Sequence, residues 1–107
     1  TNLITRDSMI QRFEYTYSIA LKMIKRFFSQ GAFVENVDGM TFNEMVRQAN
    51  KMDLLKSNLE TWTVFREKRN LTSHTYDEKV AKDVAKIIPL FSEEAQFLLN
   101  KLKERLS

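Results

Sequence analysis

The sequence predicts an all-α protein, an up-and-down bundle of four main helices forming one domain over residues 1–107. Three observations carry this expectation. Two glycines and one proline in 107 residues are too few turn-formers for a chain of many short strands. Apolar residues recur at steps of three and four along most of the length, the period of a helix buried on one side. Hydroxyl residues followed three positions later by glutamate, Thr41 with Glu44 and Ser57 with Glu60, stand where apolar stripes begin. In that pattern side chains satisfy the free amides of a helix start.

With 43% hydrophobic and 29% charged residues, a chain of this size fills a single core and gains useful burial from an oligomer interface. The absence of cysteine and the single histidine leave only carboxylates as metal ligands, so neither a metal nor a cofactor is expected. The chain contains no run of about 18 apolar residues, and no charged-then-apolar leader opens it, so the expectation is a soluble, cytoplasmic protein with no membrane span. The net charge of +3 and pI near 9.3 suit a polyanionic partner but fall short of a dedicated nucleic-acid binder.

The first helix is expected to start between Thr5 and Ser8, with Ser8 and Gln11 as one capping box, and to run to about Ser29, ended by Gly31. Its stripe is Ile10, Phe13, Tyr17, Ala20 or Leu21, Ile24, Phe27 and Phe28. A second stripe of Tyr15, Ile19 and Met23 predicts contacts on two sides, as in an inner helix or a dimer surface. Gln30 to Met40 reads as a connector whose Phe33, Val34 and Val37 dock on the bundle. Thr41 and Glu44 open a shorter helix to about Met52, with Phe42, Met45, Val46, Ala49 and Met52 inward.

From Ser57 and Glu60 a third helix places Leu59, Trp62, Phe65, Arg66, Arg69 and Ser73 on neighbouring faces. Its stripe starts apolar and ends in two arginines. Either they present charge to a ligand or they snorkel at the end of the bundle. Tyr76-Asp77-Glu78 opens the last helix with acids where the helix dipole favours them. Val80, Val84, Ile87, Phe91, Ala95, Leu98, Leu102 and Leu106 keep one phase across Pro89, predicting a long helix kinked at the proline; a break between Pro89 and Ser92 is the alternative.

The stretch that carries chemistry is Arg69-Asn70-Leu71-Thr72-Ser73-His74-Thr75-Tyr76. A guanidinium matches phosphate oxygens with a planar fork of donors, and an imidazole exchanges protons near neutral pH. Together they suit phosphodiester cleavage without a metal. Residues five apart on a regular helix lie about 140° apart around the axis. For Arg69 to serve His74, the helix must loosen near His74, or the pairing must come from a second subunit.

The segment from Arg66 to Glu78 resembles the motif of HEPN-domain proteins, specifically the small HepT-like group with Arg-x4-His-x-Tyr. The start Gln11-Arg12-Phe13-Glu14-Tyr15-Thr16-Tyr17 and the segment from Phe42 to Ala49 are also similar to that group, so the likeness covers most of the chain. The resemblance implies a dimeric, metal-independent endoribonuclease toxin with Arg69 and His74 catalytic; Arg66, Asn70 and Ser73 beside them are expected as supporting RNA-binding residues. It also implies a minimal nucleotidyltransferase antitoxin that transfers AMP to Tyr76. Two other readings stand beside it: a non-catalytic nucleotide- or substrate-binding subunit of a nucleotidyltransferase complex, and a structural helical adaptor.

Overall fold

A computed structural model describes residues 3–31 and 35–106. Four helices dominate these residues: α1 (Leu3–Gln30), α2 (Phe42–Lys51), α3 (Leu59–Leu71) and α4 (Glu78–Leu106). Short 3₁₀ turns at Val37–Gly39 and Thr72–His74 precede α2 and follow α3.

Arg6 pairs with Glu78, Phe13 packs on Phe91, and Phe27 and Leu106 line one hollow at the opposite end. Thus α1 and α4 run side by side in the same direction. Helix α3 runs against both, with Trp62 beside Phe91 and Lys68 on Asp83. Helix α2 starts under Arg66 and ends beside Arg105, whose guanidinium donates to the Met52 carbonyl at 2.5 Å. The all-α bundle of four main helices is the expected one, but its up-and-down course is not: α1, α2 and α4 run one way and α3 the other, because α2 begins at the Arg66 end of the bundle and not where α1 finishes. The parallel course of its first and last members is a detail the pattern of apolar residues did not contain, because it depends on the path between α1 and α2.

Phe91 is the centre of the core. Its ring meets Phe13, Phe65 and Trp62 edge-on at 5.1, 5.2 and 6.0 Å and Tyr17 at 6.1 Å, so one side chain joins α1, α3 and α4. The expected α1 stripe is buried at Ile10, Phe13, Tyr17, Ala20, Ile24, Phe27 and Phe28. On its second stripe Ile19 and Met23 line an open hollow of about 300 Å³ against Ala95 and Leu99 of α4, while Tyr15 is exposed.

Several local expectations need correction. Helix α1 is already helical at Leu3, so Ser8 and Gln11 lie in its interior and form no cap. Gly31 follows its last residue without left-handed backbone. Of the connector residues expected to dock, Val37 packs half-buried on the core, whereas Phe33 and Val34 lie outside the described residues.

Thr41 and Glu44 do form a capping box, each side chain taking the other's backbone amide. The second expected box is absent. Asn58, not Ser57, caps α3, accepting from the Thr61 amide at 3.1 Å, because Ser57 is used elsewhere. Its hydroxyl and amide both donate to Glu94, a carboxylate that is only 1% exposed in the middle of α4. Burying a charge without donors would be prohibitive, so the α2–α3 loop supplies them.

Helix α4 continues through Pro89 without a break. Ile88, not Ile87, is the buried member of that turn, and Leu106 is exposed.

Candidate functional site

The end of α3 and its turn into α4 are built by local hydrogen bonds. The Thr72 amide donates to the Arg69 carbonyl as the α-helix tightens into the 3₁₀ turn. The Ser73 hydroxyl donates to the Asn70 carbonyl at 3.3 Å and that of Thr75 to the Thr72 carbonyl at 3.3 Å. Asp77 then caps α4, its carboxylate accepting from the Lys79 amide at 2.9 Å. Short hydroxylated side chains satisfy carbonyls that a regular helix would have paired. The α-helix therefore ends at Leu71, before His74.

Arg69 turns toward α1, not toward His74. Its Nη1 donates to the Thr72 hydroxyl at 3.2 Å and lies 3.7 Å from the Glu14 carboxylate. The Thr72 hydroxyl is 2.5 Å from Glu14 Oε2 and 2.7 Å from the Arg69 carbonyl. It carries one proton and donates to one of these two acceptors while receiving the arginine's hydrogen bond. Arg69 retains a side-chain exposure of 33%, so part of its donor fork faces solvent.

His74 and Tyr76 form the second part of the site. Nδ1 of His74 lies 3.4 Å from the Tyr76 hydroxyl, and the two rings meet edge-on at 6.0 Å. Both are exposed, Tyr76 to 86%. No hydrogen bond joins Arg69 to His74 among the described residues, so the pairing expected within one chain is not formed. The Arg66 guanidinium stacks on the Phe42 ring at 5.0 Å, and the residue is exposed. Asn70 and Ser73 are exposed, held by the turn bond between them.

Sequence reasoning assigned no role at the site to Glu14 or Thr72, and gave Tyr17 only a place in the buried stripe of α1. Tyr17 is only 6% exposed, and burial pushes its phenol up to about 12 against the pull of Arg66 and Arg69. A glutamate at the edge of a buried α1 stripe, between Phe13 and Tyr17, was a usable signal that an acid faces the bundle. Among the described residues no group of three His, Cys, Asp or Glu stands close enough to hold a metal ion. No described helix is long and apolar enough to cross a membrane.

Comparison with known proteins places this geometry in context. The family described as nucleotidyltransferase substrate binding protein like matches residues 1–104. A probable ribonuclease HepT from Haemophilus influenzae is 37% identical over 107 residues, covering 95% of this chain and 73% of that protein. A solved structure, also from Haemophilus influenzae and described as the fold of a substrate binding domain of a nucleotidyltransferase, superposes with a TM-score of 0.86 at 34% identity. It covers 96% of this chain and 79% of that one. The chain therefore belongs to the nucleotidyltransferase substrate-binding-protein-like family, in its HepT-like group.

Proposed function

We propose that the protein is a metal-independent endoribonuclease toxin, held in check by a minimal nucleotidyltransferase antitoxin that transfers AMP to Tyr76, and that it acts in the cytoplasm. The observation that carries the reading is the exposed His74 imidazole 3.4 Å from the Tyr76 hydroxyl, one short turn beyond an arginine held by Thr72 and Glu14. In the proposed reaction the ribose 2′-oxygen attacks phosphorus, the P–O5′ bond breaks, and a 2′,3′-cyclic phosphate and a 5′-hydroxyl result. His74 takes the proton from the 2′-hydroxyl or returns one to the leaving 5′-oxygen, and the free donors of Arg69 bind the non-bridging oxygens as charge builds on them.

One imidazole per chain serves only one of those proton transfers at a time. A homodimer bringing two Arg69–His74 segments together supplies both. A strictly monomeric solution mass at micromolar concentration would refute this assembly.

The position of Tyr76 explains how AMP would silence the site. An adenylyl group on that hydroxyl places a phosphodiester anion against the imidazole, where it competes with substrate for cationic groups and fills the space the RNA needs.

The family description favours a second reading, a non-catalytic subunit that binds nucleotide or substrate for the same nucleotidyltransferase. A cleavage assay on RNA with the parent and His74→Ala proteins, with and without EDTA, separates the two. Chelator-resistant cleavage lost in the variant supports the enzyme; no cleavage by the parent supports the binding subunit.

A further inference from the structure

The first turns of α4, directly after His74 and Tyr76, carry a charge pattern that the candidate site does not use. Lys79, Lys82 and Lys86 are spaced three and four apart, so they stand on one side of the helix, opposite the buried Ala81, Val84 and Ile88. With Val80 and Asp83 they line a shallow hollow of about 460 Å³. Along the axis the three span about 10 Å.

The acids that could neutralise this stripe are engaged elsewhere. Glu78 receives two hydrogen bonds from Arg6 of α1, at 2.6 and 2.8 Å. Asp83 is bound by Lys68 of α3 at 2.6 Å. The Arg6 bonds, with a smaller pull from Lys82, hold the Glu78 carboxyl below its ordinary range, and Lys68, with a smaller pull from Lys86, does the same for Asp83. Among the described residues none of the three stripe lysines closes an ion pair of its own. Cations from neighbouring helices therefore cover the acids on either side and leave three ammonium groups facing solvent.

We infer that Lys79, Lys82 and Lys86 form a track for the phosphodiester backbone of single-stranded RNA, leading away from the His74–Tyr76 corner along the outer side of α4. The inference rests on the ribonuclease reading for the identity of the polyanion. Ammonium groups on flexible stems act as point charges, so the track holds backbone and reads no bases. A single strand fits better than a duplex, because cleavage from a 2′-hydroxyl needs a backbone free to bring that oxygen in line with its phosphate. The small overall charge of +3 is consistent with a local strip, since attraction is set by the charges within a Debye length of the strand.

The test is fluorescence anisotropy with a short labelled 2′-O-methyl oligouridine, which cannot be cut, over a series of salt concentrations. For the parent, log affinity falls with log salt. In Lys79→Gln/Lys82→Gln/Lys86→Gln the slope is shallower by about 2, and low-salt affinity falls roughly tenfold or more. Lys22→Gln/Lys25→Gln/Arg26→Gln, which removes equal charge from exposed positions of α1, keeps the parent's slope.

A stripe variant with the parent's slope overturns the track, as does a parent protein that shows no salt-dependent binding. If the stripe variant loses only its affinity for the nucleotidyltransferase partner, the strip is a protein-docking surface and the inference is wrong. Because the probe is uncleavable, the slope is read without turnover. The track thus stands or falls separately from the cleavage assay.

Discussion

The Thr72 hydroxyl and the Glu14 carboxylate lie 2.5 Å apart although 58 positions separate them in the chain. That contact ties the end of α3 to the middle of α1, and Arg69 leans on both of its members. The guanidinium is thereby restrained by one uncharged hydroxyl and one more distant carboxylate, an arrangement that orients it without consuming all its donors.

Thr72→Val keeps the shape of the side chain and removes the shared hydroxyl. Folding stability should fall by about 1–2 kcal/mol, and RNA cleavage by on the order of tenfold or more as Arg69 loses its fixed direction. Thr72→Ser should restore both. Equal loss of cleavage in Ser and Val variants would show that the hydroxyl is not what matters.

His74→Ala and Arg69→Ala should each reduce cleavage by roughly 10²- to 10⁴-fold, with circular dichroism and solution mass unchanged because both side chains reach solvent. EDTA should leave the parent's rate unaltered. Activity surviving His74→Ala, or vanishing with chelator, contradicts the metal-free acid–base mechanism.

Tyr76→Phe deletes the hydroxyl beside His74 Nδ1 but keeps a ring that is 86% exposed. Cleavage should be retained or only weakened, while the partner nucleotidyltransferase with ATP should add AMP to the parent and not to the variant. Intact-mass measurement decides the point, and equal modification of both proteins would remove Tyr76 as the acceptor.

Burial raises the Glu94 carboxyl above its ordinary value of 4.5, partly offset by the Ser57 and Lys56 amides. A carboxyl with a raised folded-state value binds more protons folded than unfolded between the two values, so acidification through that window stabilises the fold. The parent should therefore gain stability relative to Glu94→Gln as pH falls from neutrality toward 4.5. Urea denaturation of both proteins across this range measures the difference. A pH-independent difference would mean that Glu94 titrates as an ordinary carboxylate.

Phe91→Ala should lose about 3–5 kcal/mol in the same assay, since it opens a cavity between α1, α3 and α4 at once. A loss below about 1 kcal/mol would show that the aromatic cluster closes around the gap.

What was legible in the sequence was local. Thr41 and Glu44 lie within one helical turn, and their capping box formed as read. Ser57 and Glu60 have the same spacing, yet Ser57 is drawn to Glu94, 37 positions away, by the need of a buried carboxylate that looks in sequence like a solvent-facing residue between Glu93 and Ala95. The same holds at the site. The end of α3 near His74 was one of two alternatives that the Arg69–His74 spacing left open, whereas the direction of the Arg69 side chain depends on Glu14, which only the packing of α1 beside α3 brings within reach. Phase along α4 was read one residue off at Ile87 because Ile87 and Ile88 are both apolar and adjacent.

Trp62, the chain's single tryptophan, is fully buried beside Phe91 and Phe65, and its buried indole Nε1 has no hydrogen-bond partner among the described residues. An indole in such dry surroundings emits at short wavelength and shifts to the red when water reaches it. The protein therefore contains its own optical gauge of core integrity, set apart from the exposed His74 and Tyr76. Variants that change chemistry at those two residues should leave its emission untouched, whereas any that loosen the bundle will change its colour.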